Sequence, residues 1–199
     1  TTSVAKRSGV PVATIYRYFA DRMSIIATLI DRETEEIDVV INDELRALET
    51  VSLASLLDTI MYAHLKHFQN SRRSVVLWFG ARQSSKVLSR VDRRYAYMAD
   101  WVFSGSIEAG LAVREAPSFG GGLILWQCDR VFEFIFREER SPEEQQAIMR
   151  EFLDMLTAQI NKYATPAGLA GIPLEEFLAK TGPFAPPYGE PDESEPGAA

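Results

Sequence analysis

The sequence predicts an all-α fold, in which a short helical hairpin leads into a larger helical domain. No stretch alternates apolar and polar residues with the sustained period of two that a half-buried strand would need. Glycine and proline are sparse before residue 110. Apolar residues instead recur three, four or seven apart, as they do along one face of a helix.

Taken in order, Thr1 to about Arg7 can form a first short helix, which Ser8-Gly9-Val10-Pro11 then breaks. Gly9 is free to take positive φ, and Pro11 suits the first turn of a following helix. That second short helix runs from about Val12 to Phe19. Ala20-Asp21 opens a third helix, with Asp21 able to cap its amino end. Its stripe of Ile26, Ile30, Ile37, Ile41, Leu45 and Leu48 is broken only by Glu33-Thr34. Further helices are expected near 52–69, 73–80, 86–110, 118–138 and 141–163. The last opens on Ser141-Pro142-Glu143-Glu144, with an N-cap serine, proline at the first helical position and glutamate at the capping-box site. Met149, Leu153, Leu156, Ile160 and Tyr163 form its apolar face.

The 118–138 helix differs, because Leu123-Ile124-Leu125-Trp126 and Val131-Phe132-Glu133-Phe134-Ile135-Phe136 put apolar groups on nearly every side. One side can face a core; another needs a cavity or a second subunit. Beyond Thr165 glycine, proline and acids dominate. Residues 166–199 therefore read as a largely disordered tail, apart from a short helix at Leu174–Lys180.

The chain has 199 residues, 46% hydrophobic and 25% charged, enough apolar material for an ordinary core. Its apolar runs fall well short of the roughly 18 residues of a membrane helix. The single cysteine, Cys128, excludes an internal disulfide framework and fits a reducing cytoplasm. The net charge of −7 argues against non-specific coating of nucleic acid, yet charge is sorted along the chain. Within residues 1–24, Lys6, Arg7, Arg17 and Arg22 face only Asp21, and the last ten residues carry Glu190, Asp192, Glu193 and Glu195.

Two short helices around a tight glycine-containing turn form the helix-turn-helix pattern. Val4, Ala5, Val10, Ile15 and Phe19 would pack inward. Val12, Ala13, Thr14, Tyr16, Arg17 and Tyr18 would lie on or beside the exposed face of the second helix. Those types suit a DNA groove: Val and Ala meet thymine methyls, Thr and Tyr hydroxyls reach phosphates, and Arg reads guanine O6 and N7. Arg22, opening the next helix, adds a cation and backbone donors for a phosphate.

Ala5-Lys6-Arg7-Ser8-Gly9-Val10 followed by Thr14-Ile15-Tyr16-Arg17-Tyr18-Phe19-Ala20-Asp21-Arg22 resembles the TetR-type family of bacterial transcriptional regulators. About a dozen residues match in the correct spacing. The resemblance implies a helix-turn-helix DNA-binding domain over residues 1–32, incomplete at its amino end. The family's first helix and the start of its second would precede Thr1. It also implies an all-helical effector-binding and dimerisation domain over 33–165. Thr14, Tyr16 and Arg22 match the family's phosphate contacts, and Val12, Ala13, Arg17 and Tyr18 match positions that face bases. Pro11 stands where the family often has a capping serine, and Arg22 replaces the commoner lysine.

In the larger domain Tyr62, Phe68, Trp78, Phe79, Tyr95, Met98, Trp101, Phe103, Trp126 and Cys128 are candidates for an apolar effector pocket, or are plain core. A two-helix unit near 118–163 would pair with its symmetry mate. Phe132, Phe136, Met149, Phe152, Leu156 and Ile160 are the interface candidates, and the 126–136 stretch serves a pocket or an interface equally well. The basic run of Arg72, Arg73, Arg82, Lys86, Arg90, Arg93 and Arg94 faces only Asp92. It reads as a solvated face, a side turned to DNA, or an attractor for an anionic effector.

His64 and His67 stand three apart with no third ligand at convincing spacing, and read as a pocket-lining or surface pair rather than a metal site. Gly120-Gly121-Gly122 lacks the Lys-Ser/Thr of a phosphate loop. With no nucleophile–base pair and no cofactor motif, an enzyme is not expected. The expected function is a cytoplasmic, ligand-responsive regulator. As a homodimer it would leave a palindromic operator when a small, hydrophobic effector binds. The alternative is a helical dimeric ligand-binding or adaptor protein without specific DNA binding.

Overall fold

The computed structural model describes residues 2–80, 85–116 and 120–186, the side chains of 85–88 and 90 excepted. Over these residues the chain is all-α. A first hairpin comprises α1 (Thr2–Ser8) and α2 (Val12–Tyr18). Gly9 takes φ +69° at the turn, a conformation other residues rarely adopt. Pro11 stands just outside α2, and its carbonyl accepts from Thr14 N at 2.9 Å. Ala5 and Ile15 are the buried residues of the pair. Val4 and Val10, expected inside, are exposed, because the two helices cover each other only around Ala5 and Ile15.

The spine is α3 (Arg22–Arg46), whose first turn is capped as expected: Asp21 Oδ1 accepts from Ser24 N at 2.6 Å. Ile30, Ile37, Ile41 and Leu45 face the core, and α3 packs on α4 (Leu53–Asn70), α5 (Arg72–Gly80) and α6 (Ser85–Glu108). The remaining body is α7 (Gly120–Phe136) and α8 (Pro142–Ile160), continued by a 3-10 turn at Asn161–Tyr163. Both halves of the Ser141–Glu144 capping box form. No helix among the described residues is long and apolar enough to cross a membrane.

The expected disorder after residue 165 is corrected over 166–186. Thr165 caps α9 (Pro166–Ala170), Ile172–Pro173 forms β2, and α10 (Leu174–Thr181) follows. The strand β1 (Thr50–Val51) pairs antiparallel with β2, Val51 opposite Ile172. Phe177 and Phe184 enter the core against Trp101, with ring centroids 5.5 and 5.3 Å away. Asn42 Nδ2 donates to the Phe184 carbonyl at 2.8 Å, tying this segment back to α3. Its glycines act as turn formers, Gly171 and Gly182 at φ +90° and +69°, and its few apolar side chains find a ready surface. A Cβ on Gly168 would lie 1.9 Å from the Leu111 carbonyl oxygen, so α9 can press onto that loop only with glycine there. Residues 187–199, including the acidic end, lie outside the described residues.

Candidate functional site

An apolar cavity lies between α4, α6 and α7, closed off on one side by Trp78 of α5. It forms because three long helices cannot meet along a common line. Small residues at Ala99 on α6 and Gly121 on α7 let those two approach: a Cβ on Gly121 would lie 3.0 Å from Phe103 Cβ and 3.2 Å from the Ala99 carbonyl oxygen. The space these residues bound, its opening to solvent included, is about 650 Å³.

Of the pocket candidates, Phe68, Trp78, Tyr95, Met98, Phe103 and Cys128 line this cavity. The others do not. Tyr62 lies in an open groove between α3, α4 and α8, and Phe79 packs on the outer side of Phe68 at 5.8 Å. Trp101 faces away from the cavity, onto Phe177 and Phe184. Trp126 is 61% exposed, its indole under Arg130 on the outer face of α7. Helical phase decides this: Leu125, Cys128 and Phe132 point inward, so Trp126 points out.

The interface candidates divide in the same way. Phe132 lines the cavity, Met149 and Leu156 are core, and Phe136 packs on Phe68 at 5.7 Å. Phe152 and Ile160 are half-buried. The exposed apolar groups are instead Leu123, Trp126 and Phe134 of α7 and Met155 of α8.

Polar groups ring the cavity. His64 Nδ1–H donates to the Ile60 carbonyl at 2.7 Å, which leaves Nε2 as the acceptor facing Arg94 Nη2 at 3.4 Å. Burial, then the Arg94 charge, push its pKa down to about 3, so the ring is neutral. Burial likewise pushes the Cys128 thiol up to about 12, with Asp129 adding to the shift. Tyr95 donates its hydroxyl to Asp129 Oδ1 at 2.5 Å. Tyr95 and Asp129 also line a more open groove of about 780 Å³ on the outer side of α6 and α7, so this hydrogen bond stands between groove and cavity.

Arg94 is buried and donates to Asp38 of α3. The basic run is thereby corrected as a single solvated face. Arg72 and Arg73 are exposed and Arg93 is half-exposed, whereas Arg94 is internal. Arg82 and the side chains of Lys86 and Arg90 lie outside the described residues. Neither Asp38 nor Asp129 stood out in the sequence. The available signal was Glu33, Thr34 and Asp38 interrupting the inward stripe of α3, since a buried acid needs a partner.

Glu33 has its own cluster. Ser74 donates to it, His67 Nε2 lies 3.4 Å from its carboxylate, and Arg73 approaches at 2.5 Å. Glu33, Glu36 and His67 place ligand-capable atoms within 4.8 Å of one another, but the Arg73 guanidinium already supplies the positive charge there.

At the other end of the molecule Ala13, Tyr16, Arg17, Tyr18 and Arg22 are exposed, and Val12 and Thr14 partly so. Arg17 Nη2 donates to the Tyr18 hydroxyl at 2.9 Å, with its guanidinium carbon 5.0 Å from the ring centroid. The two regions are linked by α3, which starts at Arg22 beside the hairpin and carries Asp38 to Arg94, behind the cavity-lining His64 and Trp78. No protein-family model matches the chain, and no curated protein matches it significantly.

Proposed function

We propose that the protein is a cytoplasmic, ligand-responsive DNA-binding regulator of the TetR type, acting as a homodimer that an apolar effector releases from a palindromic operator. The observation that carries this reading is the single helix α3, which joins the exposed Tyr16-Arg17-Tyr18 face to the buried Asp38–Arg94 pair beside the cavity. An effector that favours one placement of α3 over another shifts the spacing of the two recognition helices. The match at Ala5–Val10 and Thr14–Arg22 supports the DNA-binding half of the reading. Exposed Leu123, Trp126, Phe134 and Met155 support the dimer, because a two-fold bundle of α7 and α8 covers them.

The test is fluorescence anisotropy with DNA from upstream of the protein's own gene and a scrambled duplex, over a salt series. It uses this chain and the chain carrying the amino-terminal helix that the resemblance implies. Tight, salt-sensitive preference for the native duplex is expected, weakened by Tyr16→Phe and made less selective by Arg17→Ala. Equal weak binding to both duplexes, unmoved by either substitution, would reject the regulator and favour a ligand-binding or adaptor dimer.

A further inference from the structure

The positive charge that Arg73 brings to the Glu33 cluster is exchangeable. Glu33 of α3 is only 3% exposed, and Ser74 donates to its Oε2. Ser71 Oγ lies 2.6 Å from Ser74 Oγ, so the carboxylate is held in one orientation from behind. His67 of α4 places Nε2 3.4 Å from the same Glu33 oxygen and 3.0 Å from Ser74 Oγ. On the open side stands Arg73, 62% exposed, with Nη2 2.5 Å from Glu33 Oε1 and 3.6 Å from Oε2 of the exposed Glu36. One cationic nitrogen is thus shared between two carboxylates, the inner of which cannot reach water.

Charge and spacing both suit a dication there. With His67 neutral, as a metal ligand must be, two carboxylates against one guanidinium leave a negative charge over among the described residues. A divalent ion balances both carboxylates, and Arg73 can turn out into water, where an exposed ion pair contributes little. Around a four-coordinate ion held at about 2.0–2.1 Å, neighbouring donors stand about 3.3–3.4 Å apart. The separation of His67 Nε2 and Glu33 Oε2 is 3.4 Å, and ligand atoms of Glu33, Glu36 and His67 all lie within 4.8 Å of one another. The donor set selects the ion. One imidazole with two carboxylates suits Zn2+ and its first-row neighbours, whereas Mg2+ and Ca2+ need six or more oxygens.

We propose that Glu33, Glu36 and His67 bind a divalent transition-metal ion of the Zn2+ type, which takes the place of the Arg73 guanidinium between the two carboxylates. Water completes the coordination on the open side. The ion ties α3 to α4, on the stretch of α3 between the hairpin and Asp38. Along the chain the set is invisible, because Glu33 stands 34 residues before His67. The site stands on these residues alone, whether or not the chain binds DNA.

The experiment is calorimetric titration of the tag-free chain at pH 7.5 with ZnCl2 and with MgCl2, beside melting curves with and without Zn2+. Glu36→Gln and His67→Gln each remove one ligand, and Arg73→Ala removes the competing cation. Every variant is checked for helicity, and Glu36 and Arg73 are exposed, so their substitution spares the core. The expected result is one Zn2+ per chain, with a dissociation constant of about 10 µM or below and at least about a hundredfold preference over Mg2+. Zn2+ should raise the melting temperature, since it binds the folded chain. Each ligand variant should weaken binding at least about tenfold, and Arg73→Ala should tighten it about two- to fivefold. Wild-type binding weaker than about 100 µM would overturn the site. Affinity unmoved by Glu36→Gln, or by His67→Gln in the folded state, would put the ion on other residues and overturn it equally. Mg2+ binding as tight as Zn2+ would overturn the class of ion. Unchanged or weaker binding by Arg73→Ala would overturn the exchange with the guanidinium.

Discussion

Arg94 on α6 and Asp38 on α3 meet with only 4% and 6% of their side chains exposed, joining the helix that leaves the amino-terminal hairpin to the layer behind the cavity-lining His64 and Trp78. An ion pair so far from water gains little net stability over an apolar pair, but half of it is costly to leave behind. The pair is therefore a constraint on how α3 sits, more than a source of stability.

Removing one partner shows the difference. Asp38→Ala should lower the unfolding free energy by about 3–5 kcal/mol, because Arg94 is left buried and uncompensated. Asp38→Asn combined with Arg94→Met should cost clearly less than Asp38→Ala alone. Urea denaturation at 25 °C measures both, and equal costs would mean that the charge pair is incidental to packing.

His64 should make the protein acid-sensitive. Its folded pKa of about 3 lies below the ordinary value, through burial first and the Arg94 charge second, with His67 also lowering it and Asp129 and the Ile60 hydrogen bond opposing. The unfolded chain therefore takes up the proton first. Stability is full above about pH 6.5 and is lost as the pH falls from there towards 3. Between pH 7 and pH 5 the wild type should lose about 2 kcal/mol more than His64→Gln, read from urea curves at each pH.

Cys128 should be inert in the native state. The thiolate is the reactive form, and burial holds this thiol up to about 12. Reaction with a disulfide reagent at pH 8 should be roughly a thousandfold slower than in denaturant, where an ordinary cysteine pKa returns. Fast native labelling would place Cys128 in a more open site than the cavity wall.

The carboxyl-terminal segment should carry real stability. Phe177 is fully buried against Trp101, so Phe177→Ala should cost about 3–5 kcal/mol, and ending the chain at Thr165 should cost more. A chain cut at Thr165 with an unchanged melting temperature would return residues 166–186 to the status of an appendage.

The exposed face of α7 gives a test of assembly. Trp126→Asp with Phe134→Glu should convert the proposed dimer to monomer in sedimentation while leaving its helicity intact, since both side chains are more than half exposed in the single chain. An unchanged mass would move any interface elsewhere.

The sequence by itself determined the helices. Asp21 and Ser141 cap where their side chains can reach the first free backbone N–H groups, Gly9 turns where positive φ is needed, and the stripe from Ile30 to Leu45 sets the inner face of α3. All of these are decided within a few residues along the chain, so they can be read locally. Tertiary structure decided the rest. It placed Phe132 inside and Trp126 outside on a helix apolar nearly all round, because the number of neighbouring helices fixes how many faces are covered. It ordered Phe177 and Phe184 on α6, against a local composition rich in glycine, proline and acids. It also buried Arg94, whose local neighbourhood of basic residues looks solvated, because the acid that makes burial tolerable is Asp38, 56 residues earlier in the chain. Capping and periodicity act over a few residues, whereas a buried charge is settled by a partner that only folding brings near.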